Sequence, residues 1–306
     1  MTGLRIIFMG TPEFAVSSLQ KLVESGSNVV AVVTAPDKPA GRGLQLTPSP
    51  VKQYALTQGI PVLQPEKLKN PDFLEELRSY QADLQVVVAF RMLPEVVWNM
   101  PPKGTFNLHA SLLPQYRGAA PINWAIINGE TQTGVTTFFL QHEIDTGQII
   151  FQETEPIHED DTVGTLYERL MQKGAALVVK TVQAVEGGKY PQIPQPEIET
   201  LKSAPKIFKE TCEIQWTQSA SAIRNFVRGL SPYPTAWTTL NGKTCKVYKV
   251  SVANQEFSER EIGDFVTDNK FFLHFKTGDG WLAIEELQLE GKKRMGIEEF
   301  LRGAKL

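Results

Sequence analysis

Asn107 and His109 stand two residues apart at the end of a short apolar run, residues 104–108. In a β-strand that spacing puts both side chains on one side. Asp145 opens an Asp-Thr-Gly turn farther along the chain. Together these residue types suit addition to a carbonyl without a protein nucleophile. The Asn amide offers a donor to a developing oxyanion. A carboxylate beside the His holds one imidazole tautomer or stabilises the imidazolium. Spacing alone leaves a plainer reading open, because strand-end Asn and His residues cap turns and an Asp before Thr-Gly serves as a turn residue. After His109 the chain runs through Ser111-Leu112-Leu113-Pro114-Gln115-Tyr116-Arg117-Gly118, a loop leading into a helical pattern.

Convergence of such groups requires a strand that ends in a crevice, and the first part of the chain supplies the frame. Apolar runs at 4–9, 29–33, 84–89 and 104–108 alternate with helical patterns at 14–23, 51–57, 72–80 and 119–127. That rhythm predicts a Rossmann-like α/β fold, a mostly parallel sheet with helices on both faces. Such sheets place their active crevice at the carboxyl ends of the strands. From Gly134 the pattern changes to two strands, 135–140 and 149–154, followed by a long helix over 163–185. Residues 190–205 hold four prolines and show no period, which predicts an extended linker. Beyond it come a short helix, 219–230, and five strand-like runs broken by Gly, Asn and Asp turns, which predict a small OB-like β-barrel. The expected domains are therefore 1–189, a linker at 190–208, and 209–306.

The chain has 306 residues, 42% hydrophobic and 21% charged, enough for two cored domains. Disorder, collagen and a disulfide-stapled miniprotein are excluded. No run of 18 apolar residues is present, so no membrane partner is expected. The start lacks a signal-peptide pattern, and the two cysteines fit a reducing, cytoplasmic setting. Net charge is −3 but uneven. Residues 1–200 carry 15 basic and 21 acidic side chains, whereas residues 201–306 carry 16 and 13. A mildly basic second part hints at a polyanionic partner, and simple scatter of surface charge is the alternative. Gly-x-Gly-x-x-Gly, a phosphate-binding glycine loop with Lys, Gly-x-Ser-x-Gly and a Cys-x-x-Cys pair are all missing. His142-Glu143 lacks the second His of a zinc-protease helix.

Four strings then carry a family likeness: Asn107-Leu108-His109-Ala110-Ser111-Leu112-Leu113-Pro114; Tyr116-Arg117-Gly118 with Pro121-Ile122; Thr133-Gly134-Val135-Thr136; and Ile144-Asp145-Thr146-Gly147. In that order they resemble the signatures of the formyltransferases that use 10-formyltetrahydrofolate. The opening Phe8-Met9-Gly10-Thr11-Pro12, the stretch from Pro36 through Gly41-Arg42-Gly43 to Lys52, and the tail Gly291-Lys292-Lys293-Arg294-Met295 resemble the branch acting on an aminoacyl-tRNA. The likeness covers essentially the whole chain. It implies that Asn107, His109 and Asp145 are catalytic and that Ser111, Leu112, Leu113 and Pro114 contact folate. It implies 10-formyltetrahydrofolate as formyl-donating co-substrate, no metal, and initiator methionyl-tRNA as partner of a monomer. Arg42 would reach the acceptor end of the tRNA, from a loop that is otherwise ordinary surface. Lys206, Lys209, Arg224 and Arg228 would line its path in the OB-like domain, with a solvated surface as the alternative for each; Arg224 and Arg228, four apart, share a helix face. Formylation of a nucleotide-linked amino sugar, hydrolysis of the formyl donor, and non-catalytic RNA binding are the competing functions. One departure stands out. Phe90-Arg91 replaces the Tyr-Gly usual in the family at the edge of the pterin pocket, and Arg91 is expected to turn toward solvent.

Overall fold

The computed structural model describes residues 3–40, 45–255, 257, 260–304 and 306. The chain packs as two compact units. One comprises Met1–Arg117, Gly134–Glu155 and Tyr167–Lys202; the other comprises Gly118–Thr133, Pro156–Leu166 and Ser203–Leu306.

In the first unit the elements follow in the order β1 (Ile6–Gly10), α1 (Glu13–Glu24), β2 (Val29–Val33), β3 (Lys38–Ala40), β4 (Gln45–Thr47), α2 (Pro50–Thr57), β5 (Val62–Leu63), α3 (Pro71–Ser79), β6 (Leu84–Val88), α4 (Glu95–Trp98) and β7 (Thr105–His109). Along the chain there follow β8 (Arg117–Gly118), α5 (Pro121–Ile127), which belongs to the second unit, and then β9 (Gln132–Phe139), β10 (Ile149–Pro156) and α6 (Val163–Glu186). Seven strands form one sheet in the order β10-β9-β7-β6-β1-β2-β5. β5, β2, β1, β6 and β7 run parallel, and β9 joins β7 antiparallel. β1 and β6 are buried along their whole length, which is why they read as apolar runs; the one polar side chain in β6, Gln85, is buried and accepts from Thr105 at 3.0 Å. Helix starts are written in the sequence. Ser49 and Asn70 accept backbone N–H groups from Lys52 and Asp72, and Pro50 and Pro71 follow at the first turn. Ile7, Met9, Val33, Leu63, Phe73, Leu77, Val87 and Val97 form a core beneath one face of the sheet.

Residues 190–202 are extended, as expected of a proline-rich stretch, but they are anchored. Ile193 exchanges two backbone hydrogen bonds with Ile149, at 2.8 and 2.9 Å, and the Lys202 carbonyl accepts from the Tyr116 N–H at 2.6 Å. Proline removes donors but leaves the neighbouring N–H and C=O groups, and these still seek partners.

The second unit holds α5, β11 (Ser203–Ala204), a short 3₁₀ turn at Lys209–Cys212, α7 (Ala220–Leu230), β12 (Ala236–Leu240), β13 (Lys243–Ala253), β14 (Phe265–Thr267), β15 (Leu273–Lys276), β16 (Trp281–Leu289), β17 (Met295–Gly296) and α8 (Ile297–Arg302). β12 to β17 make an antiparallel half-barrel sheet around Ile223, Val227, Val247, Leu282, Ile284 and Phe300. α5 is placed early in the sequence yet belongs here because it packs on α7. Asn123 donates to the Gly229 carbonyl at 2.8 Å, and a Cβ at Gly229 would lie 2.6 Å from Ile127. Among the described residues no helix is long and apolar enough to cross a membrane.

Candidate active site

β7 carries Asn107 and His109 at its carboxyl end, on one side of the strand. Asn107 lies between Val87 of β6 and Phe138 of β9, and His109 lies opposite Thr136. The turn between β9 and β10 brings Asp145 to the same place, with its Oδ2 3.9 Å from Nδ1 of His109. Both side chains are largely shielded, 7% and 13% accessible. Asp145 has φ +55°, left-handed backbone that disfavours a non-glycine residue.

The opposite edge of the His109 ring is committed. Nε2 stands 2.8 Å from the Tyr116 carbonyl. A carbonyl only accepts, so Nε2 carries the hydrogen and Nδ1 is the edge turned to Asp145. Tyr116 delivers that carbonyl from a left-handed conformation, φ +59°. The sequence gives no sign of this partner beyond the Tyr-Arg-Gly string, because the group that acts is backbone.

Residues 111–114 form a tightly held loop behind His109. The Ser111 hydroxyl donates to the Gln115 carbonyl at 2.7 Å. Thr136 donates to the Ser111 carbonyl at 2.6 Å and accepts from the Leu113 N–H at 3.2 Å. Gln152 donates to the Leu113 carbonyl and to Thr136, both at 2.9 Å. Ser111, Leu113 and Pro114 are buried, so of the four residues assigned to folate only Leu112 is partly open. Thr136 and Gln152 hold this loop in place; the sequence shows Thr136 only as the end of the Thr133-Gly134-Val135-Thr136 string, with no role, and gives no sign of Gln152. They lie on facing strands, and their meeting at one loop depends on strand register.

Arg91 does not turn to solvent, which corrects the expectation for it. Its guanidinium folds back to donate to the carbonyls of Pro65 and Glu66, the latter at 2.8 Å, with its Cζ 5.5 Å from the centre of the Phe90 ring. Burial lowers its pKa below the ordinary guanidinium value. Two neighbouring loop carbonyls suit the planar, five-donor fork of a guanidinium. Next to these carbonyls, Gln64 donates to Asp37 at 2.7 Å, and Lys52 donates to both Asp37 (2.6 Å) and Gln64 (2.7 Å). Asp37 and Lys52 flank the β3–β4 hairpin, so this cluster clasps its base. The Lys52 and Gln64 hydrogen bonds hold the Asp37 carboxyl below the usual carboxylate value. Arg42 lies outside the described residues.

In the second unit, Arg224 and Arg228 do share a face of α7, but acidic loop 158–161 occupies it. Arg224 donates to the Glu159 carbonyl at 3.0 Å and lies 3.4 Å from an Asp160 carboxylate oxygen. Arg228 bonds Asn225 at 2.9 Å and the carbonyls of His158 and Asp161 at 3.3 and 3.2 Å. Burial, with Arg224 beside it, lowers the Arg228 pKa. Both arginines thus hold this unit's own backbone together. Lys206 and Lys209 are exposed, and Lys206 lies 5.3 Å from the centre of the exposed Phe208 ring. Among the described residues no group of three or more His, Cys, Asp and Glu side chains could hold a metal ion.

Two domain families match the chain: formyl transferase over residues 4–182, and the formyl transferase C-terminal domain over residues 206–305. The chain is 58% identical over 311 aligned residues to a methionyl-tRNA formyltransferase of Parabacteroides distasonis, covering 99% of this chain and 96% of that one. In fold it is similar to HypX from Aquifex aeolicus, solved in complex with tetrahydrofolic acid, with TM-score 0.66 and 20% identity. It covers 99% of this chain and spans 48% of that one. It is also similar to an N-formyltransferase from Helicobacter canadensis, solved with folinic acid and dTDP-3-aminofucose. There the TM-score is 0.68 and the identity 23%, over 92% and 98% of the two chains.

Proposed function

Because this chain belongs to the formyl transferase family in both its N-terminal and its C-terminal domain, we infer that it moves a formyl group from 10-formyltetrahydrofolate to an amine. The acceptor is the amino group of methionyl-tRNA, the charged initiator, and the products are N-formylmethionyl-tRNA and tetrahydrofolate. Identity of 58% to a methionyl-tRNA formyltransferase across nearly the whole length supports that acceptor.

The reaction needs an oxyanion stabilised and a proton moved between two nitrogens. The acceptor amine adds to the formyl carbon, and its oxygen becomes negative. Asn107 donates to that oxygen. His109, with its Nε2 hydrogen given to the Tyr116 carbonyl, works through Nδ1. It takes a proton from the attacking nitrogen, directly or through a water, and the imidazolium stabilises the same oxyanion. Asp145, 3.9 Å away, stabilises that cation and steers the ring. The proton then passes to the folate nitrogen as the C–N bond to the donor breaks. Arg42, which lies between β3 and β4 in the sequence, meets the acceptor end of the tRNA, and Lys206 and Lys209 offer phosphate contacts.

The observation that carries this reading is the meeting of His109 and Asp145 at the end of β7, with Asn107 on the same side of that strand. The test supplies purified protein with 10-formyltetrahydrofolate and, in parallel, charged initiator tRNA, the uncharged tRNA, and a nucleotide-linked amino sugar. Transfer only to the charged tRNA is expected. Transfer to the sugar, or deformylation without any acceptor, overturns the assignment. Asn107→Ala and His109→Ala should each lower turnover roughly 10²–10³-fold with smaller changes in donor affinity, and a variant that kept more than about a tenth of turnover would remove that group from the mechanism.

A further inference from the structure

Gln195 lies in the proline-rich stretch, where neither its neighbours in sequence nor the family likeness gives it work. In the structure its amide is fully engaged. The nitrogen donates to the carbonyls of Asp145 at 2.7 Å and Gly147 at 2.9 Å. The oxygen accepts from Arg117 Nε at 3.2 Å and Nη2 at 2.6 Å. Carbonyls only accept and a guanidinium only donates, so these partners fix which end of the amide is which. Two residues earlier, the Ile193–Ile149 backbone pair ties the same stretch to the start of β10. The turn that Gln195 grips is the one that carries Asp145 in left-handed backbone. A residue in that conformation stays there only where its surroundings over-determine it.

We propose that Gln195, oriented by Arg117, is a positioning residue that holds the Asp145 turn so that its carboxylate faces His109. The proposal rests on the reading of His109 and Asp145 as the catalytic pair. It also gives a task to Arg117, whose string carried the family likeness but had no role. A neutral amide is what the place requires. A carboxylate at position 195 would keep the pairing with Arg117, lose both donors to the turn, and set a second anion beside Asp145.

The test is a double-mutant cycle on turnover. Misplacing a catalytic group by about 1 Å costs on the order of 10²-fold, so Gln195→Ala should lower kcat roughly 10- to 100-fold. Both KM values should stay within about twofold, and in an Asp145→Asn background the same substitution should change kcat by no more than about twofold, because its effect passes through Asp145. An equal loss in both backgrounds, or wild-type turnover in Gln195→Ala, overturns the proposal. Wild-type turnover in Asp145→Asn alone would instead overturn the catalytic pair. Gln195→Glu is the second probe should the alanine variant fold poorly. It keeps the Arg117 partner and should reproduce the loss in kcat, and normal turnover in it also overturns the proposal.

Discussion

At His109 a single backbone carbonyl decides which edge of the ring is available for chemistry. Asn107, His109 and Asp145 could be picked out as candidates in the sequence, because their side-chain types suit carbonyl chemistry, but spacing left turn and cap roles open and only the family likeness chose between them. The Tyr116 carbonyl and the grip of Gln195 are not, because a backbone oxygen carries no letter and a glutamine in a proline-rich stretch looks like solvent-facing filler. Arg91 shows the reverse error. A charged letter suggests water, but the guanidinium found carbonyls within reach. Gly147 was legible only as a turn residue, and its real constraint is space: a Cβ there would sit 1.6 Å from the Phe139 carbonyl oxygen. Gly147→Ala must therefore push β9 and the Asp145 turn apart. Overpacking of this kind costs about 1–3 kcal/mol, and more where backbone has to move, so a urea melt should show that loss and turnover should fall with it. An alanine variant as stable and as fast as the parent would mean that the turn is free to shift.

Among the elements, those with long periodic patterns were readable and those held by register were not. β1, β2, β6, β7 and α6 follow from their apolar spacing. β5 has only two residues and forms because β2 lies beside it, with Val33 opposite Leu63. The β3–β4 hairpin shows no strand pattern; its base is set by the Asp37–Lys52–Gln64 cluster. α6 is fixed to the end of β10 by an equally local device. Glu155, buried, takes Arg169 at 2.7 Å and Lys173 at 3.1 Å, four residues apart on one helix face. Burial alone would raise the Glu155 pKa, but the hydrogen bonds from Arg169 and Lys173 hold it below the ordinary value. A lowered carboxylate stabilises the fold fully above its unfolded pKa, about 4.3, and that contribution disappears as pH falls through the folded value. Glu155→Gln should cost about 1–3 kcal/mol near neutral pH, discounted from a fully buried pair because both cations are partly exposed. The difference from the parent should shrink below about pH 4 in urea melts taken across the acid range. A pH-independent difference would show that packing, not charge, ties α6 to β10.

For the molecule as a whole, the packing of the two cysteines says more about them than their number does. Cys212 and Cys245 are both buried. Burial pushes the Cys245 thiol up to about 12, and burial with nearby Glu210 raises that of Cys212. Only thiolates react readily, so neither should titrate with a thiol reagent near pH 8 in the native protein, and both should titrate after denaturation. A fast-reacting thiol in the folded protein would mean that the half-barrel opens far more often than its packing implies. The two-part layout was legible from the change in pattern after residue 189. The membership of α5 and of residues 156–166 in the second unit was not, because it is written in the fit between α5 and α7 rather than in any local run. That interleaving has a genetic consequence. The second unit is no detachable cassette; a crossover at the proline-rich stretch would inherit the half-barrel without the helix it leans on, so both halves must be passed on, and must drift, as one locus.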